Sequence, residues 1–234
     1  MNIVNYLKYK LNNNFDKKPD INKHQYKKEN NITKSDKSIF IPSEQDSLFW
    51  CYYIITNGDV NYEMLSNKNT LIAKKLKIEY INKIRENKLI IKSYKFDTLS
   101  NIENNLANEN LINIKTFMTL SIIDKINVIF VKNKTYYECL MNDSNIIYIV
   151  YEIDVNSKYN KKYGYELATD NILSKIRTTL YKLDNLNKPI KSLSSYKVDE
   201  LINIANKLAI EIHNKDTGKN KSKNELYEAI IQYF

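Results

Sequence analysis

Asn127–Asp154 reads NVIFVKNKTYYECLMNDSNIIYIVYEID, and the architecture of the chain turns on how its apolar runs pair. NVIFVKN, TYYECLMN and IIYIVYEID are short, β-branched and aromatic, with Asn-Lys and Asn-Asp-Ser-Asn between them. Such side chains fit a pleated surface, and such spacers form turns. The stretch therefore predicts a three-stranded antiparallel meander packed on helices.

Working outward, the period upstream is helical. Ser43 is positioned to cap a helix through Leu48–Ile55, with Glu44 and Asp46 in a first turn that favours acids. LFWCYYII is apolar nearly all round, which marks a central core element, and Asn57-Gly58-Asp59 ends it. Ala73, Leu76, Tyr80 and Ile84 recur at helical spacing. Leu89–Phe96 is compatible with a strand or a continued helix, and Leu99–Leu106 and Leu111–Ile123 read as helices. Downstream, a polar linker carrying Gly164 is expected, then a helix over about 166–183 on Leu173, Ile176 and Leu180, ending before Pro189. The expected fold class is α+β: a flexible polar arm (1–42), a helical body with the meander (43–188) and a small all-α C-terminal unit (189–234).

Composition bounds the function. The 234 residues carry a net charge of +9, which invites a nucleic-acid partner. Lys, Asn, Ile and Tyr all have A/T-rich codons, so genome composition competes as the source of that charge. With only two arginines, Arg85 and Arg177, guanine reading by bidentate guanidinium forks is not expected to dominate, and DNA contacts would be lysine to phosphate. The longest apolar run, Leu48–Ile55, is far short of the roughly 20 residues of a membrane span. The start, MNIVNYLKYKLNNNF, lacks a signal-peptide pattern. A soluble intracellular protein with no membrane contact is expected. Cys51, Cys139, His24 and His213 stand apart, so neither a metal nor another cofactor is expected.

The tail from Ser194 to Phe234 is locally patterned. Leu201, Ile204, Ala205 and Leu208 share one helix face. Ser222-Lys-Asn-Glu225 is a capping box that opens a second helix with Leu226, Ile230 and Ile231 as its buried face. Leu193, Tyr196 and Val198 are expected to support this pair. Lys215, Lys219, Lys221 and Lys223 gather on the intervening loop and helix start, where backbone amides and the helix dipole suit a phosphate.

Tyr196, Lys197, Val198 and Leu201, then Gly218, then Lys223, Glu225 and Leu226 resemble the SAP motif, with some likeness to the N-terminal domain of the Rho terminator. The resemblance covers about forty residues. It implies a helix–extended–helix unit on duplex DNA, often AT-rich, and together with the phosphate-suited loop and helix start it makes Lys197, Lys215, Lys219, Lys221, Ser222 and Lys223 the expected DNA-binding residues. The loop EIHNKDTGKNKSK is longer than the motif's. SLFWCYYIITNGDVNYEML and KPIKSLSSYKVDEL resemble uncharacterised proteins of nucleocytoplasmic large DNA viruses, which implies a virion or a viral factory in the host cytoplasm.

No strong catalytic constellation stands out. Glu152 and Asp154 end a strand and Glu138 is expected on its neighbour, an arrangement that a metal-dependent nuclease would use. Three scattered glycines form no nucleotide loop. Tyr136, Tyr137, Tyr148 and Tyr151 could stack bases or simply pack. A non-enzymatic viral DNA-binding protein is expected, in genome packaging, factory organisation or late transcription. The alternatives are a virion interaction protein whose tail grips a protein partner and a nuclease delivered by the tail.

Overall fold

The computed structural model describes residues 39–154, 161–214 and 218–234, and Lys215 lies outside them. Helix α1 (Ser47–Asn57) is buried from Ser47 to Ile54. Its N-cap is Asp46 rather than Ser43, with a carboxylate oxygen accepting from the Phe49 amide at 3.2 Å. The same carboxylate accepts from the Ile112 amide at 3.0 Å and pairs with Lys77 at 2.6 Å. A residue joining three segments must sit at the buried end of the helix, and Ser43 is too far out to do so. Gly58, at φ 84°, ends α1 by donating to the Ile54 carbonyl.

Around α1 pack α2 (Asp59–Met64), α3 (Thr70–Glu86), α4 (Lys88–Tyr94), α5 (Leu99–Asn108) and α6 (Ile114–Ile123). The ambiguous segment at 89–96 is therefore mostly helix. Asn69, Thr98 and Asn113 cap α3, α5 and α6 through side-chain oxygens, as residues of these types commonly do.

The sheet departs from the expected meander. It has five strands, β1 (Val128–Lys132), β2 (Thr135–Cys139), β3 (Tyr148–Asp154), β4 (Lys161–Leu167) and β5 (Tyr181–Lys182), in the order β4-β3-β1-β2-β5. β1 and β2 form the expected antiparallel hairpin. β3, however, lies beside β1 and parallel to it, Val128 opposite Tyr148. Asn127 supplies the reason. Buried at the foot of β1, it donates to the carbonyls of Asn142 (3.1 Å) and Ser144 (3.0 Å) and accepts from the amides of Met141 (2.6 Å) and Asn142 (3.1 Å). The connection after β2 is thereby drawn across the start of β1, and β3 begins on its far side, with the Tyr148 amide donating to the Asn127 carbonyl.

β4 occupies what the sequence presents as a polar linker, and it pairs antiparallel with β3. Gly164 is needed there for close approach. A Cβ at this position would lie 2.8 Å from Ile39, 2.9 Å from Ile41 and 2.9 Å from the Phe40 carbonyl oxygen. Phe40 and Tyr165 exchange backbone hydrogen bonds at 2.8 and 2.9 Å, so residues 39–41 run along the outer edge of β4.

Both faces of the sheet are covered, which explains the near-continuous apolar runs of β1 and β3. Val128, Phe130, Cys139 and Val150 join the core with α1 to α6. Ile129, Val131, Tyr136 and Ile149 pack on the other face around Ile176 of α7 (Asp170–Thr179). That helix starts later and ends sooner than its apolar spacing suggests, because Glu166 is taken into β4 and Tyr181 into β5.

The C-terminal segment is not a separate all-α unit. A 3-10 turn (Leu193–Ser195) leads into α8 (Val198–Leu208) and then α9 (Lys223–Tyr233). Leu201, Ile204, Ala205, Leu208, Leu226 and Ile230 form the core of this pair, and Tyr181 of β5 packs against it. Tyr233 accepts a hydrogen bond from the Lys134 amide at the β1–β2 turn. Leu193 and Tyr196 support the pair as expected, while Val198 and Ile231 are exposed.

Candidate nucleic-acid interface

α8 ends at Ala209, which adopts a left-handed conformation (φ 58°) and donates back to the helix. The long loop that follows is organised as a small hairpin. Lys221 donates its amide to Ile212 (2.9 Å), His213 bridges Asn220, and Asn214 donates to the Lys219 carbonyl (2.8 Å). Gly218 takes φ 66° and donates to the Asn214 carbonyl at 2.9 Å. Residues 212–214 and 218–221 therefore build a stem, and 215–217 lie outside the described residues.

The stem delivers Lys219, Lys221, Ser222 and Lys223 to the start of α9. Ser222 Oγ accepts from the Glu225 amide at 3.3 Å, and Glu225 Oε2 accepts from the Ser222 amide at 2.7 Å. These hydrogen bonds, that from the Ser222 backbone foremost, hold the Glu225 carboxyl below the usual glutamate range. The capping box uses the Ser222 and Glu225 amides. The Lys223 and Asn224 amides, at the first two helical positions, have no acceptor within the helix. The Lys221 ammonium reaches back to the Glu211 carbonyl at 2.8 Å. Lys197 stands apart from this group at the N-cap of α8, where its amide donates to Glu200 at 2.6 Å.

The candidate nuclease carboxylates are not brought together. β1 lies between β2 and β3, so Glu138 has no place on the strand next to Glu152. Alternation along the strands puts the two on opposite faces. Glu138 is held by Arg177 and by Lys182 at 2.9 Å. Burial would raise its pKa, but hydrogen bonds and charge from those two cations outweigh it, and the carboxyl lies below its ordinary range. Glu152 pairs with Lys161 at 3.3 Å and Lys132 at 3.7 Å, and accepts from the Tyr163 hydroxyl at 3.2 Å. Among the described residues no three His, Cys, Asp or Glu side chains form a metal-binding group, and no helix is long and apolar enough to cross a membrane.

The strand tyrosines are engaged in packing. Tyr136 is buried, Tyr137 meets Phe96 edge-on at 5.9 Å, and Tyr151 donates to Glu166 at 2.7 Å. Tyr148 lies against Tyr165. No family model matches the chain, and neither does any curated protein or solved structure.

Proposed function

We propose that the chain is a non-enzymatic DNA-binding protein that grips duplex phosphates with the hairpin loop and the start of α9. The observation that carries this is that Lys219, Lys221 and Lys223 lie on the stem and first position of α9, a helix start whose first two amides have no intrahelical acceptor. Amides with a positive dipole end and nearby ammonium groups form a phosphate cradle without further machinery. Such contacts set position and affinity rather than sequence, which agrees with a chain that has only two arginines. The resemblance of the tail to SAP motifs supports the same reading. The upstream resemblance to proteins of large DNA viruses suggests work on a viral genome, in a cytoplasmic factory or the virion.

The test is fluorescence anisotropy of the full chain on AT-rich and GC-rich duplexes across a salt series. Changing Lys219, Lys221 and Lys223 to Gln is expected to weaken binding to both duplexes. It should flatten the slope of log K against log salt by roughly 2 to 3, at about 0.9 per phosphate. The same change at Lys17, Lys18 and Lys23 should do much less. Equal losses from both sets would show that the charge is generic. The absence of duplex binding would favour a protein partner for the tail.

A further inference from the structure

A groove of about 520 Å³ opens on the body beside α4. Lys88 and Lys92 belong to that helix, and Lys95 closes it in a left-handed conformation (φ 54°). The i, i+4 spacing puts Lys88 and Lys92 on one wall, and Lys95 and Lys115 of α6 line the groove with them. Ile91, Phe96 and Leu99 provide the apolar floor. Asn187 holds one end in shape by donating its side-chain amide to the carbonyls of Lys95 (3.1 Å) and Phe96 (3.0 Å).

The charge in this groove is unbalanced. The single lining carboxylate, Asp97, already accepts from the Thr98 amide (2.8 Å) and the Asn101 side chain (2.7 Å), and stands 3.8 Å from Lys115. Glu103, an acid close enough to Lys88 to feel its charge, is held in a fork by Arg85 with both contacts at 3.0 Å. Lys88 and Lys92 repel at i, i+4, and Lys88 and Lys115 occupy first turns, where the helix dipole disfavours cations, whereas Lys92 in the last turn of α4 is favoured by it. Local features that oppose stability are expected where a ligand uses them.

We propose that this groove binds a nucleotide unit, with its phosphate among the lysines and its ring on the apolar floor. The volume falls within the range of small-ligand sites, and a flat ring joined to an anion matches both parts of the lining. That chemistry is shared by a free mononucleotide and by a nucleotide within a single strand. The site is independent of the tail and uses none of its residues.

The test titrates the full chain with thymidine monophosphate and with inorganic phosphate by calorimetry, and with a labelled oligothymidylate by anisotropy. The K88Q/K92Q/K95N variant, whose Asn tolerates the left-handed conformation, is expected to lose at least tenfold in affinity for whichever nucleotide form binds. On the oligonucleotide its salt slope should flatten by about 2, at about 0.7 per phosphate for single strands. Its melting temperature should stay close to that of the unaltered chain, because the lysine repulsion relieved is offset by the loss of Lys92 from the last turn of α4. Binding of the mononucleotide marks a free-nucleotide site, and binding of the oligonucleotide alone marks a strand site. The K219Q/K221Q/K223Q variant should bind thymidine monophosphate as the unaltered chain does, so failure of the tail is read separately. Undiminished nucleotide binding by the groove variant would overturn the proposal. So would inorganic phosphate binding as tightly as the mononucleotide, or no binding of any probe.

Discussion

Lys77 and Asp46 form an ion pair at 2.6 Å with their side chains only 3% and 6% exposed. Asp46 caps α1 and receives the Ile112 amide, and the Lys77 ammonium also donates to the Asn110 carbonyl at 3.0 Å. The pair thus ties α1, α3 and the segment before α6 into one polar joint within the core. Removing one partner of such a pair leaves an uncompensated buried charge.

Lys77→Met is accordingly expected to destabilise the fold by about 3–5 kcal/mol in chemical denaturation at neutral pH. Burial already pushes the Asp46 carboxyl up against the opposing pull of Lys77 and two amides. Without Lys77 that carboxyl should rise further. A raised folded pKa means that the native state holds the proton more tightly, so the variant should recover stability as pH falls from 7 towards 5. A deficit independent of pH would show that lost packing, rather than stranded charge, is the cause.

Glu138 behaves in the opposite sense. Its folded pKa is depressed by Arg177 and Lys182, while the free value is about 4.5. Its contribution is therefore fully present above that value and is lost as pH falls through the lower folded value. Glu138→Gln should cost about 1–2 kcal/mol at pH 7. Acid titrations of the two proteins should converge below pH 4, and parallel titrations would contradict this.

Gly164→Ala tests the close approach at the outer edge of β4. The added methyl would meet the Phe40 carbonyl oxygen and two isoleucine side chains at 2.8–2.9 Å. Overpacking of this kind costs about 1–3 kcal/mol. Hydrogen exchange should report it locally, with the Phe40 and Tyr165 amides losing protection while those of β1 keep theirs. Uniform loss across the sheet would mean that residues 39–41 are integral to the core.

At the start of α9, Ser222 and Glu225 should separate stability from binding. Ser222→Ala removes the cap and should destabilise the C-terminal helix pair by about 1 kcal/mol. Glu225→Gln keeps an acceptor for the Ser222 amide but removes the negative charge beside the proposed phosphate cradle. Duplex affinity should rise roughly two- to fivefold. Unchanged affinity in Glu225→Gln would argue that DNA does not approach this end of the helix.

Much of the local structure was legible in the chain. Ala73, Ile84 and Ile102 fall on the buried faces of helices whose spacing announces them. The capping box at Ser222 forms as its four residues imply, and the first three strands lie where β-branched and aromatic residues accumulate. These features depend on side-chain spacing and on hydrogen bonds within four residues, which a sequence states directly. β4 was hidden because KKYGYEL has a charged start and a glycine, and its place rests on β3 on one side and residues 39–41 on the other.

By itself, then, the sequence determined the α+β class, the helix faces, the β1–β2 hairpin and the lysine-rich loop before a capped helix. Only the tertiary structure decided that β3 lies parallel to β1, that Glu138 and Glu152 stand on opposite faces, and that Lys88, Lys92, Lys95 and Lys115 share one groove. Each of those outcomes depends on contacts between segments distant in the chain, such as Asn127 drawing in the loop after β2. A buried asparagine can bind any loop that reaches it, so its partner is settled by packing the whole chain and not by its neighbours in sequence.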